Sequence, residues 1–466
     1  MVNRHFSIAL RVFGLASAVL IALPVMCYCI LFLINLKDDP LSPRVETLLS
    51  AKPVSTVEAA HNGYFAWIGV VGPEDQDPNA WGQRWFDAVL AVDKVSKTSL
   101  STSGLAINKE KRKEDQGSLP CKPPNDDLAR CLFGWVDANP DAAHSILQKG
   151  SVTLERADKA VSYTEYQEPW RPDYSLSSYS SPSPNGWIIL SGIRFALAAK
   201  EGRHDEAMDQ MAREIAFHTR QLQGDVAFAD KTVATHNLST RYRLINQYLL
   251  RHPEPAKAHA DRISEMLAPL PKEVTSLEPS IALEERVIIA ALLIMKENKD
   301  YKNALLDDLG GVAGSAWSRA FLLFNTTANE CASAMDRWIH ANGVSGSAYH
   351  DAIVDAQTNA VEQVTGFKLR NLTGHWLLAT AYPSLFSFFV RRDNLLALRA
   401  LVAFRVRLFE RGIVDPSAIE QAIRADRDTL MHPYDENTPI FDKEKHELKF
   451  LNSTTFGDQE LAIQTL

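Results

Sequence analysis

Acid–base chemistry needs a carboxylate and a second ionisable group within reach of it, and this chain carries a few candidate sets. Glu214 and His218 stand four residues apart, one helical turn, and Glu284-Glu285-Arg286 lies in another helical stretch. A site assembled from distant residues such as Glu284, Glu285 and His236 would give a hydrolase its acid and base. The plainer account of each group is a surface or interhelix polar contact. The same account serves His340, His350 and His375, each alone in a helical stretch. No H-E-x-x-H occurs: His446-Glu447 is followed by Leu448, Lys449 and Phe450, so the second histidine is missing. No catalytic residue, metal ligand or cofactor-binding residue is assigned from these patterns, and no cofactor is expected.

Other motifs fall short in specific ways. Asp75, Asp77 and Asn79 open a D-x-D-x-N calcium loop, but its sixth and twelfth positions are Ala80 and Phe86, so a solvated turn capping the next helix is expected. Gly310, Gly311 and Gly314 have no preceding strand and no following G-K-[ST], which leaves loop punctuation. G-V-S-G-S, from Gly343 to Ser347, misses the nucleophile elbow by one position and joins two helical patterns. Tyr64, Phe65, Trp67, Trp81, Trp85 and Phe86 are dense enough to stack sugars or peptides, although aromatics around a glycine-flanked run usually fill a core. Cys121 and Cys131 form a C-x9-C pair that an oxidising compartment would favour as a disulfide, two free thiols being the alternative. Cys331, in an apolar helical pattern, reads as a core residue.

Residues 12–36 contain no charged side chain. A run of this length predicts a transmembrane signal-anchor helix, since about 20 helical residues span a bilayer and no small-x-small cleavage site follows the apolar core. A lipoprotein signal is a weak reading, because Pro24, Val25 and Met26 precede Cys27. Arg4 and Arg11 before the run, against Lys37, Asp38 and Asp39 after it, predict a cytoplasmic N-terminus and an exported bulk. Cys27 and Cys29, two apart on a helix, point to different faces and are expected to be small apolar side chains in lipid.

The chain has 466 residues and a net charge of -8, with its one basic block, 109–113, in a loop-like stretch. Nucleic acid is therefore not an expected partner. The predicted organisation is a cytoplasmic N-terminus (1–11), the anchor (12–36), a proline-containing stalk (37–56), a mixed segment with long loops (57–186), an α-helical array (187–430), and a C-terminal hairpin and tail (431–466). Gly63 to Gly72 reads as a short buried strand or a tight helix, and 97–125 as a long loop. Apolar residues recur at helical spacing over 187–199, 205–222, 227–250, 257–267, 282–295, 316–340, 349–366, 385–411 and 416–430, with Gly or Pro between most of them. Asp415 before Pro416 is an N-cap with proline in the first turn. A-L-A-A-K-E-G-R-H-D-E-A-M, starting at Ala196, resembles the turn of a tetratricopeptide helical hairpin, but the period does not recur convincingly. The expected fold class is thus mainly α: a transmembrane helix, an irregular array of α-hairpins that is partly tetratricopeptide-like, and a short terminal β-hairpin around Glu447 to Phe450.

N-G-Y-F-A-W-I-G-V-V-G-P-E-D-Q-D-P-N-A-W-G, from Asn62, resembles the opening of the exported part in a set of uncharacterised, membrane-anchored proteobacterial proteins. Cys121, Cys131 and D-K-T-V-A-T-H-N-L from Asp230 fit the same picture. The resemblance implies an inner-membrane protein facing the periplasm and carries no catalytic residue. It also lowers the weight of the glycosylation patterns at Asn237, Asn325, Asn371 and Asn452. The expected function is protein binding or scaffolding at the cell envelope, with membrane lipid met through 12–36 and a protein partner through the helical array. The alternative is an envelope hydrolase acting on peptidoglycan or peptide.

Overall fold

The computed structural model describes residues 20, 22–23, 25–50, 57–91, 120–121, 127–169, 185–224, 226–297, 321–365, 369–381, 385–450 and 461–465. These residues are mainly α-helical, with a small three-stranded antiparallel sheet near the C-terminus. The helices are α1 (Pro43–Ser50), α2 (Gly63–Gly69), α3 (Pro78–Ala91), α4 (Leu128–Ala138), α5 (Pro140–Lys149), α6 (Ser151–Ser162), α7 (Asn185–Lys200), α8 (His204–Gln223), α9 (Phe228–Arg251), α10 (Pro253–Ala258), α11 (Ala260–Met266), α12 (Lys272–Thr275), α13 (Glu278–Glu297), α14 (Phe324–Gly343), α15 (Ser347–Thr365), α16 (Leu372–Ala381), α17 (Leu385–Glu410), α18 (Pro416–Ala425) and α19 (Arg427–Leu430). The chain divides into two compact units: 1–51, 285–337 and 355–383 form the first, and 52–284, 338–354 and 384–466 the second.

Residues 12–19, 21 and 24 lie outside the described residues, as do the expected cytoplasmic N-terminus 1–11 and most of the loop 97–125. Among the described residues no helix is long and apolar enough to cross a membrane. A described helical run covers 25–34. It ends where the buried Asn35 donates to the carbonyls of Leu31 (2.7 Å) and Leu369 (3.2 Å) and accepts from the Asn371 N–H (2.7 Å). The absence of such a helix among the described residues overturns the signal-anchor, the single-pass topology and the inner-membrane location.

In the first unit, polar side chains close the helix ends. Asp38 caps α14 by accepting from the N–H groups of Asn325 (2.9 Å) and Thr326 (3.0 Å), and Arg370 grips Asp39 with two bonds of 2.8 and 2.9 Å. Asn371, fully buried, accepts from the Leu323 N–H (3.0 Å) and donates to Thr327 Oγ1 (3.0 Å) and Glu330 (3.1 Å).

In the second unit, the aromatic-rich stretch after Asn62 is the helix α2, capped by the Asn62 side chain and buried at every residue. Two glycines let it meet α3 backbone to backbone: a Cβ on Gly69 would lie 1.7 Å from the Pro78 carbonyl oxygen, and one on Gly82 2.0 Å from that of Phe65. Tyr64, Phe65, Trp67, Trp81, Trp85 and Phe86 form a core with α6 and Trp187. The D-x-D-x-N stretch is a helix start: Asp77 accepts from the Ala80 N–H (3.0 Å) ahead of Pro78 and pairs with Lys159. A larger core joins α4, α7, α8, α9 and α17 with the sheet. Strand β1 (Ile440–Asp442) pairs with β2 (Glu447–Lys449), which pairs with β3 (Ala462–Gln464), and Phe441, Leu448 and Ile463 stand opposite one another as one buried row. Cys121 and Cys131 are joined by a disulfide with their Cα atoms 5.9 Å apart. The step from α7 to α8 turns on Gly202, at φ +78°.

Candidate functional site

The second unit's ionisable groups gather along α8 and α9. Ser191 on α7, Gln210 and Glu214 on α8 and Arg241 on α9 form one buried knot. The Ser191 hydroxyl lies 2.7 Å from each Glu214 oxygen, Gln210 Nε2 donates to Glu214 Oε1 (2.9 Å) and to the Ser191 carbonyl (3.0 Å), and Arg241 Nε stands 2.5 Å from Glu214 Oε2. The Arg241 guanidinium also lies over the Trp187 ring at 4.7 Å. Glu214 and Arg241 side chains are 2% and 0% exposed, so solvent does not screen the pair. Arg194 approaches Glu214 at 3.6 Å while holding Asp158 with bonds of 2.6 and 2.7 Å. His218, one turn from Glu214, has other partners: Nδ1 meets Gln221 Oε1 at 2.6 Å, and its ring packs among Trp67, Trp187 and Phe217. Burial pushes His218 down to about 3, with the Arg241 charge adding to the effect. Glu214 and His218 thus make two separate buried contacts, the plainer reading of that spacing.

A second gathering sits at the start of α9. Glu168 accepts from the Ala227 N–H at 2.8 Å, Glu284 accepts from the Phe228 N–H, and Asp230 occupies the first helical turn. The N-terminal end of a helix attracts carboxylates because its first N–H groups lack intrahelical acceptors. Burial nevertheless pushes Glu168 up to about 8, helped by the charges of Asp230 and Glu284, and burial also raises Glu284 against the opposing Phe228 bond. Tyr166 beside them is driven well above the usual phenol range, by burial first and by Asp230 second, while Gln221 hydrogen-bonds it. Glu284 therefore belongs to a set that includes Glu168, a residue no motif singled out. Glu168 precedes Pro169 in a stretch without helical or strand periodicity, so only the fold could bring it to α9.

Glu285, next to Glu284 on α13, turns elsewhere. It pairs with Arg44 at 3.0 Å in the first unit, where Arg44 also holds Asp336 at 2.7 Å, and burial pushes Glu285 up to about 7. The buried Cys331 stands beside it, its thiol raised by burial first. His236 is lowered by burial and by the charges of Arg241, Arg391 and Arg243. Glu284 and His236 answer to different sets of neighbours within the second unit, and Glu285 to Arg44 within the first. Among the described residues no group of three His, Cys, Asp or Glu is placed to hold a metal. Gly310, Gly311 and Gly314 lie outside the described residues, while Gly343 to Ser347 joins α14 to α15 through Gly346 at φ +68°. The chain matches no protein-family model, no curated protein and no solved structure.

Proposed function

We propose that the chain is a binding or scaffolding protein whose helices form an irregular array of hairpins, with the α7–α8 step the most tetratricopeptide-like of them. The observation that carries this reading is the Glu214 knot. A carboxylate that accepts from Ser191 and Gln210 and pairs with Arg241 at 2% exposure holds three helices together and has no room for a substrate. Stacked helical hairpins present continuous surfaces to partners, which supports recognition of a protein. The test is crosslinking of the tagged full chain in its own cells, followed by mass spectrometry and competition with untagged chain. A single partner recovered in stoichiometric yield and displaced by the competitor is expected. Recovery of the chain alone, together with turnover by the purified protein, would overturn the reading.

One observation favours an alternative, a hydrolase. Glu168 and Glu284, both raised and bound to adjacent N–H groups of α9, supply a protonated carboxyl beside a second carboxyl, which is the composition of a general acid and base. Its test is a panel of peptide, ester and glycan substrates with the purified chain. Turnover abolished in both E168Q and E284Q supports the hydrolase, and an inert wild-type protein removes it.

A further inference from the structure

Three imidazoles gather where α8 begins and α9 gives way to the short helices α10 and α11. His204 is the first residue of α8, His252 closes α9 and opens α10, and His259 closes α10 and opens α11. The half-buried His204 and His252 rings stand 5.5 Å apart, and Tyr248, one turn before His252, lies against both, at 5.8 and 5.4 Å. The Tyr248 hydroxyl is 3.2 Å from His204 Nδ1, Phe133 packs on His252, and Phe195 packs on Tyr248. Little else holds α10, which buries Ala256 alone. Few charges face the two rings. Asp205 on α8 lies near His204 and 3.8 Å from His259 Nε2, but its side chain is 90% exposed, so water screens its pull. Asp137 at the end of α4 and Arg251 at the end of α9 pair with each other beside His252, and Arg203 is held by Glu201 and Glu206.

Two neutral imidazoles at this separation pack as aromatic rings, whereas two imidazolium ions repel and must each give up water. A cation at His204 also opposes the positive end of α8. We infer that His204 and His252 form an acid-sensitive latch on α10, which holds that helix in place while both rings are neutral and releases it when they gain protons. Burial lowers both histidines first, and a neighbouring imidazole lowers each further, His259 for His204 and His204 for His252; Arg251 adds to the second, and Asp205 and Asp137 oppose. A base lowered in the folded state contributes stability above its ordinary value of about 6.5 and loses it as pH falls below that. Release is local to residues 252–259, because α11 keeps Ile263 in the larger core and Arg262 on Asp209 of α8.

The experiment is hydrogen exchange with mass spectrometry on the full-length protein at about pH 7.5 and about pH 5.5, with each rate divided by the intrinsic rate at that pH. The N–H groups of Ala256 and His259, which bond the carbonyls of His252 and Pro255, should lose about tenfold or more of their protection at the lower pH, while the middles of α9 and α17 keep theirs. The double variant His204→Gln with His252→Gln should hold the protection of α10 within about threefold across the same range. His218→Gln, which removes a buried histidine elsewhere in the unit, should leave the α10 response as in wild type. The comparison of wild type with itself at the two pH values decides the matter even if the double variant folds poorly. Equal protection of α10 at both pH values, a wild-type response in the double variant, or a loss spread equally over α9 and α17 would each overturn the inference.

Discussion

Replacing Glu214 by Gln leaves the Arg241 guanidinium buried at 0% exposure without a carboxylate partner. Breaking a buried ion pair from one side costs about 3–5 kcal/mol, because the remaining charge has lost both water and its counter-charge. The second unit has roughly 330 residues, so at about 2.1 cal/mol/K per residue this loss lowers its melting temperature by about 4–7 °C. Arg241→Met costs less, since Glu214 keeps Ser191 and Gln210 as donors and Arg194 stands 3.6 Å away. The double variant Glu214→Gln with Arg241→Met removes both charges and keeps an acceptor for Ser191 and Gln210. Its loss should fall short of the sum of the two single losses by about 2–3 kcal/mol. Scanning calorimetry with tryptophan fluorescence follows the relevant transition, because Trp67, Trp81, Trp85 and Trp187 all lie in the second unit. Additive losses, or a Glu214→Gln shift under about 1 °C, would refute the assignment of the knot as a coupled unit.

Glu168 is an acid raised in the folded state, so its contribution to stability is full below about 4.5 and is lost as pH rises towards about 8. E168Q keeps an acceptor for Ala227 and should melt above wild type at pH 8.5 while matching it at pH 5, by calorimetry at both values. His218 is a base lowered to about 3, so stability falls as pH drops below about 6.5, and H218Q should flatten that acid limb in the same scans. Gly82→Ala places a methyl 2.0 Å from the Phe65 carbonyl oxygen and should cost at least about 1–3 kcal/mol with loss of the near-ultraviolet tryptophan circular dichroism. Asp415→Ala removes the acceptor 2.9 Å from the Ala418 N–H and should cost about 1 kcal/mol in denaturant unfolding, whereas Asp415→Asn stays within a few tenths.

What could be read in the sequence was what local chemistry decides. Asp415-Pro416 caps a helix, Asp77-Pro78 starts one, and Gly202 turns between two, because each depends on atoms within a few residues. Absence of charge over 12–36 is not sufficient for a span. Asn35 lies inside that run, and its two carbonyl acceptors and one N–H donor include partners more than 300 residues away. The acidic candidates are polar contacts, the plainer reading of each, and the sequence does not name their partners. Helical spacing puts Glu214 near His218, and adjacency puts Glu284 near Glu285, yet a buried side chain bonds whatever the next helix offers it. Arg241 takes the first, Gln221 the second, the α9 start the third and Arg44 the fourth. Three of these four choices are made between helices, and helical periodicity says which face is buried without saying what it meets. Arg391 illustrates the converse: on the same helix and next to Arg392, it alone is left without a partner among the described residues, and only the packed structure distinguishes them.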